Sequence, residues 1–250
     1  MILGAVIAVI VTSPGKNPPV LRPAGLTADS AGLSAVAFRW SGPASGPVPD
    51  RYEILRNGRR AGYVPGSITF YRDTGLAPAS SYAFQVIAIR DGRLSARSAV
   101  LTVATVTPPV SAAVLAGTWY AQYKLTSVVN FSWIKARSWT ETWKFTPACG
   151  AGTCAVLLSS GGSGNENAFT VSLARSGSVF TGSVPVRNFA YCKASSSSMP
   201  TTMTIRMELK NAGVTGTTWA ATSWSGTATM KVSATRKCTA GTVVTAVGSS

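Results

Sequence analysis

The chain has 250 residues, 23 basic and 8 acidic side chains, a net charge of +15 and no histidine. A length of this order suits two domains, and 46% apolar residues are enough to build real cores. Without histidine the usual general base, the partner of a nucleophilic serine and the commonest metal ligand are all missing. Abundant Thr, Ser, Val, Ala and Gly, with no helix-period stretches, point to an all-β protein.

Met1–Val11 (MILGAVIAVIV) is wholly apolar and ends at Thr12-Ser13-Pro14. Eleven residues are too few to cross a bilayer core, which takes about 20. The run has the length of a signal-peptide apolar region but no basic residues before it. It is read as a signal or anchor remnant that gives possible membrane attachment. With the Pro-rich spacer behind it, residues 1–22 are set apart from the folded domains.

Short alternating strands follow. Ser34–Trp40, Arg51–Leu55, Ser67–Arg72, Ser81–Arg90 and Ser95–Val106 are separated by turn signals, among them Asn57-Gly58 and Asp91-Gly92. About seven strands in this space are a β-sandwich pattern. The stretch 23–107 resembles a fibronectin type III domain. The landmarks are PAGLTA, Trp40 closing a strand, Tyr52 in YEILRNG, the run DTGLAPASSYAFQVIA with Leu76 and Tyr82 six apart, and SAVLTVAT. The resemblance implies that Trp40 lies between two sheets and that Tyr82 forms the family's tyrosine corner above Leu76. In secreted glycosidases such domains serve as spacers, which implies a fold and no activity.

Residues 108–112 (PPVSA) read as a short stiff linker, and 113–250 as the C-terminal domain. Thr201–Lys210 alternates cleanly. Phe169, Val171 and Leu173 do the same, Val179–Val186 follows a Ser-Gly turn, and Thr217–Ser223 and Thr227–Cys238 read as two further strands. Eight to ten antiparallel strands in a meander are expected to close into a barrel, which removes the edges. Gly117-Thr118-Trp119 is similar to the opening of lipocalin- or avidin-like barrels. That resemblance implies that Trp119 plugs one end and that Arg236 packs across it.

All four cysteines lie in this domain. An even count without zinc spacing favours disulfides and an oxidising compartment. Of the three pairings, Cys149–Cys154 across CGAGTC together with Cys192–Cys238 is preferred. No metal and no cofactor is expected. The fold expectation is therefore all-β, a fibronectin type III sandwich followed by a disulfide-stapled antiparallel barrel, in an extracellular or cell-envelope protein.

The candidate site is FSWIKARSWTETWKF, residues 131–145. Taken as one strand, one face carries Phe131, Trp133, Lys135, Arg137, Trp139, Glu141, Trp143 and Phe145, and the other is small and mostly polar. Cations in the middle of an aromatic stripe sit badly in a dry core, so either the chain turns near Lys135–Ser138 or the face opens to a ligand. Trp133, Trp139, Trp143, Lys135, Arg137 and Glu141 are the candidate ligand-binding residues. Indole rings beside donors suit a cell-wall or extracellular polysaccharide, or an apolar small ligand inside a barrel. The domain has twelve basic and three acidic residues, with the cations scattered, and no nucleic-acid partner is expected. Its carboxylates Glu141, Glu166 and Glu208 offer no evident catalytic pair. The expected function is non-catalytic binding. The alternatives are a polysaccharide-degrading glycosidase or its accessory module, and a structural ectodomain of a membrane sensor.

Overall fold

The computed structural model describes residues 18–130, 137–150, 154–161, 168–186, 201–234 and 239–249. The apolar run Met1–Val11, and with it Trp133, Lys135, Glu166, Cys192, Arg236 and Cys238, lies outside the described residues. The protein is all-β and divides into two compact units. The first runs to Ala104. The second is Thr105–Ser250, together with the short loops Gly32–Ser34 and Gly75–Ser80. The Gly75–Ser80 loop meets Thr105, whose buried hydroxyl donates to the Ala77 carbonyl (2.7 Å) and accepts from the Ser80 amide (3.0 Å), and the Gly32 carbonyl accepts the Val106 amide at 2.9 Å.

The first unit has two sheets. One contains β1 (Ala24–Ala31), β2 (Ala35–Ser41) and β5 (Phe70–Thr74) in the order β1-β2-β5. The other contains β3 (Arg51–Arg56), β4 (Arg59–Pro65), β6 (Ser81–Arg90), β7 (Arg93–Leu94) and β8 (Leu101–Ala104), in the order β4-β3-β6 with β7 and β8 both on β6. Alternation puts Val36, Phe38 and Trp40 of β2 inward to meet Tyr52 and Ile54 of β3 and Phe84, Val86 and Ala88 of β6, all buried. Phe38 meets Phe84 with ring centres 4.7 Å apart, and Trp40 meets Tyr52 edge-on at 5.3 Å. Trp40 thus packs between the sheets, and Leu76 is buried. Tyr82 is half-buried on β6 opposite Val103.

Both dipeptide turns have two consecutive positive φ values, 49° and 77° at Asn57-Gly58 and 47° and 72° at Asp91-Gly92. This is the turn whose twist matches a hairpin. The expected strand Ser95–Val106 is shorter in the structure. Its ladder resumes only at Leu101, and in the gap the Ser95 and Ser98 hydroxyls accept the Ala88 and Val86 amides, each at 2.9 Å. Side chains there replace backbone acceptors, which leaves the edge without a regular strand. β5 starts three residues later than the expected Ser67, because Pro65–Ile68 is taken up by a turn closed by an Ile68 N–H to Pro65 carbonyl bond of 2.9 Å.

The second unit is a closed barrel of eight strands: β9 (Gly117–Val129), β10 (Ser138–Pro147), β11 (Val156–Gly161), β12 (Phe169–Ser176), β13 (Val179–Val186), β14 (Thr201–Thr215), β15 (Thr218–Val232) and β16 (Gly241–Ser249). Each strand pairs antiparallel with the next, and β16 returns to β9. One end has tight turns at Gly177 (φ 60°) and Gly216 (φ 61°) and the hairpin joined by the Cys149–Cys154 disulfide. The second expected pairing, Cys192–Cys238, falls outside the described residues.

Where two strands were read, Thr217–Ser223 and Thr227–Cys238, the described residues form the single strand β15, Thr218–Val232, with Gly226 inside it. Gly226 does not break the strand because its missing Cβ lets β14 come close. A methyl there would overlap the Arg206 carbonyl oxygen and lie 2.6 Å from the Met207 Cα.

The expected linker 108–112 packs onto the barrel. A 3-10 turn at Val110–Ala112 leads to Val114, which bridges Ala220. Trp219 Nε1 donates to the Pro109 carbonyl (3.0 Å), and Arg175 Nη2 donates to the carbonyls of Ser111 and Ala113, both at 2.9 Å. Ala113 and Leu115 are buried behind it, and Trp119 packs half-buried against the core with Nε1 donating to Ala116 (2.9 Å). Arg175 from β12 closes over this end and lies 4.9 Å over the Phe180 ring; the expected Arg236 lies outside the described residues.

Candidate functional site

The stretch 131–145 is not one strand. β10 begins at Ser138, and the preceding Arg137 is exposed, its carbonyl accepting the Leu125 amide at 2.7 Å. Trp139, Glu141, Trp143 and Phe145 do share a face, and that face points into the barrel. Opposite them on β9 lie Tyr123, Ala121, Trp119 and Gly117.

Trp143 is fully buried and stacks on Trp224 of β15, with centroids 5.0 Å apart and planes 8° from parallel. Phe145 meets both rings edge-on. These rings, with Phe180, Met203, Ile205 and Met207, fill the interior as small barrels are filled. The indole N–H groups of Trp143 and Trp224 are buried with no hydrogen-bond partner among the described residues. Trp143 is thus core and is closed to a ligand.

Trp139 and Glu141 are half-buried nearer the other end. Trp139 stacks on Tyr123 at 4.7 Å, nearly parallel, and its Nε1 donates to Glu141 Oε1 at 2.9 Å. Ser160 Oγ reaches the second carboxylate oxygen at 3.4 Å. Burial first, then the Glu141 charge, pushes the Tyr123 hydroxyl well above its ordinary 10.0. It therefore stays a neutral phenol. The inner face of β10 is an aromatic wall carrying one held carboxylate.

The outer face of the same wall holds the open site. It is a trough of about 870 Å³ across β10, β9, β16, β15 and β14. Register builds it from two adjacent rows. One runs Ser138, Lys124, Ala246, Thr227, Arg206, and the next Thr140, Gln122, Gly248, Ser225, Glu208. In each row long polar side chains on β9 and β14 flank small residues on β16 and β15. The rims are three strand spacings apart, about 14 Å.

The trough is rich in donors and acceptors. Lys124 and Arg206 donate, Gln122 and four hydroxyls do both, and Glu208 accepts. A hydrogen bond from Lys210 (2.7 Å) holds the Glu208 carboxyl below its ordinary 4.5, so it is anionic at neutral pH. Lys124, Gln122, Arg206 and the floor residues were absent from the sequence-based site. The signal available was the small polar alternate face, Ser138 and Thr140, on the strand singled out for its tryptophans.

Fold and trough together define a two-part all-β protein, a sandwich and a closed barrel, with a polar trough on the barrel wall. No family model matches the sequence, and no curated protein matches it. Among solved structures, a fibronectin type-III domain of human fibronectin type III domain containing protein 3 is 25% identical over 39% of this chain and 94% of that one, with a TM-score of 0.31. The Yersinia enterocolitica family 28 exopolygalacturonase is 22% identical over 35% of this chain and 21% of that one, with a TM-score of 0.32. The chain thus spans about a fifth of the latter's length.

Proposed function

We propose that this is a non-catalytic glycan-binding protein of the extracellular space or cell envelope, with a fibronectin type III spacer and a lipocalin-like barrel that holds a saccharide in its outer trough. The observation that carries this reading is the double row of hydroxyl, amide and charged side chains over a floor of small residues. Such a surface offers many hydrogen bonds to a polyhydroxylated chain and leaves room for its rings. An apolar ligand inside the barrel fits less well, because stacked Trp143 and Trp224 occupy its middle. The Cys149–Cys154 disulfide supports an oxidising compartment.

Hydrolysis needs two carboxylates flanking one glycosidic bond. Glu141 faces the interior and Glu208 the outside, so among the described residues the barrel wall lies between the two. The test is titration of the full chain against neutral glycans (cellulose, chitin and xylan fragments) by calorimetry and tryptophan emission. Ala246→Trp fills the floor from the solvent side and is expected to weaken binding at least about tenfold, an energy of about 1.4 kcal/mol. No binding to any glycan, or wild-type affinity in Ala246→Trp, would overturn the reading.

A further inference from the structure

The sandwich carries an arginine cluster that its role as a spacer does not use. β3 and β4 meet at the Asn57-Gly58 turn, and register sets Arg56 directly opposite Arg59, with Arg60 next in line. Like charges facing each other across a strand pair repel and destabilise it. A cavity of about 300 Å³ at this turn is lined by Arg56, Asn57, Arg59 and Arg60 alone.

Three of the guanidiniums in this region are held in place. Arg56 Nη1 bonds the buried Asp73 carboxylate at 3.0 Å. Arg60 lies 5.2 Å over the Tyr63 ring with Nη1 donating to the Tyr63 hydroxyl at 2.9 Å, and Arg51 lies 5.0 Å over the same ring. Asn57 is fixed as well, its Oδ1 accepting the Ala83 amide at 2.9 Å. Arg59 projects into solvent. Four guanidiniums thus face two carboxylates, Asp73 and the half-buried Glu53, and Asp73 is already engaged.

We propose that this hairpin binds an acidic polysaccharide, with the cross-strand pair Arg56 and Arg59 gripping one carboxylate or phosphate of the polymer at the cavity and Arg60 and Arg51, which share the Tyr63 face of the hairpin, reaching the next. Planar guanidinium forks match both kinds of oxyanion, and holding them beforehand lowers the entropy lost on binding. A nucleic acid fits less well. The cluster's Tyr63 ring is already engaged by two guanidiniums and makes a poor platform for bases. The disulfide also suits an oxidising compartment, where envelope polymers are the abundant polyanions. This site is separate from the trough and does not depend on it.

The experiment measures binding of the full chain to alginate (carboxylate), poly(glycerol phosphate) (phosphate), neutral dextran and duplex DNA, at low and moderate salt. Arg59→Gln/Arg60→Gln changes two exposed side chains, and its melting curve is recorded alongside. Wild type is expected to bind one or both acidic polymers and not dextran. The double variant should lose about tenfold per guanidinium removed, with a shallower salt dependence. Arg59→Lys/Arg60→Lys should recover only part of the affinity, because lysine keeps the charge and loses the fork. Ala246→Trp should bind the acidic polymer as wild type does.

Four results would overturn the proposal: undiminished binding by the Gln variant, full affinity in the Lys variant, loss of acidic-polymer binding in Ala246→Trp, or tighter Arg-dependent binding of DNA than of either polymer.

Discussion

Gly226 offers the sharpest test of how the barrel is built. It lies inside β15 opposite Met207, in the strand pair that places Arg206 and Glu208 along the trough. A Cβ at Gly226 would meet the Arg206 carbonyl oxygen, the Met207 Cα at 2.6 Å and the Arg206 carbonyl carbon at 2.9 Å, all of them backbone atoms. Backbone in a closed barrel cannot step aside as a flexible side chain can, so β14 and β15 must part by roughly half an ångström or more. Overpacking of this kind costs about 1–3 kcal/mol. Weakening two flanking ladder bonds adds about 1 kcal/mol each. Gly226→Ala should therefore cost about 3–5 kcal/mol, a fall in melting temperature of about 10 °C for a chain of this size.

Gly248→Ala is the control. Its Cβ would find nothing nearer than the Trp224 carbonyl oxygen at 3.8 Å, and the gain in backbone entropy predicts a small stabilisation, about 0.5 kcal/mol. Both variants are read by denaturant and thermal unfolding followed by tryptophan emission, which reports the barrel because only Trp40 of the seven tryptophans lies in the sandwich. A Gly226→Ala barrel that melts with the wild type, or a Gly248→Ala barrel that loses as much as Gly226→Ala, would refute the register and the packing derived from it.

Arg175→Ala strips two carbonyls of their shared donor and one ring of its cation. It should destabilise the barrel by about 2–3 kcal/mol and raise amide exchange in 110–116, whereas loss of stability without a local exchange change would contradict its role in closing that end. The Tyr123 phenol, held above 10.0 by burial first and by Glu141 second, binds its proton more tightly folded than unfolded. Its stabilising share is therefore complete below pH 10.0 and is lost as pH rises through the folded value. Tyr123→Phe should flatten the alkaline fall in melting temperature, and an unchanged slope would count against it. Glu141→Gln keeps an acceptor for Trp139 but removes the charge, so the Tyr123 absorbance titration should move down while glycan affinity stays unchanged. A drop in affinity would relocate the ligand to the inner face.

Much of the fold was legible because alternation and turn chemistry act locally. β6 and β13 occupy the spans read from the sequence: β6 runs into the Asp91-Gly92 turn, and β13 follows the Ser176-Gly177 turn and alternates throughout. Asn57-Gly58 and Asp91-Gly92 turn as their left-handed preference requires. β1 was legible only as part of a motif, because its side chains are almost all exposed and show no alternation. The split of β15 at Gly226 was a misreading of a local signal, since the close approach that glycine permits comes from a strand distant in sequence. The trough was illegible for the same reason. Ala246, Thr227 and Arg206 are unremarkable separately and become a row only once two registers are fixed. The tryptophans drew attention to a strand whose opposite face lines the trough, and a half-buried aromatic stripe looks the same in sequence whether it lines a cavity or fills it.

The two faces of that strand are coupled. Trp143 stacked on Trp224 and Tyr123 stacked on Trp139 lock β9, β10 and β15 from within, and these strands supply one rim and part of the floor of the trough outside. A binding surface made of short side chains on a stiff wall gives up little freedom when a ligand arrives, since Ser225, Thr227, Ala246 and Gly248 have few rotamers to lose. The long side chains at the rims, Lys124 and Arg206, are the ones with entropy to spend. Specificity among glycans should therefore follow the rims, while affinity common to all of them follows the floor. Truncating Lys124 or Arg206 should then reorder glycan preference more than Ala246→Trp does, and a uniform loss across the panel from the rim variants would show that the division is wrong.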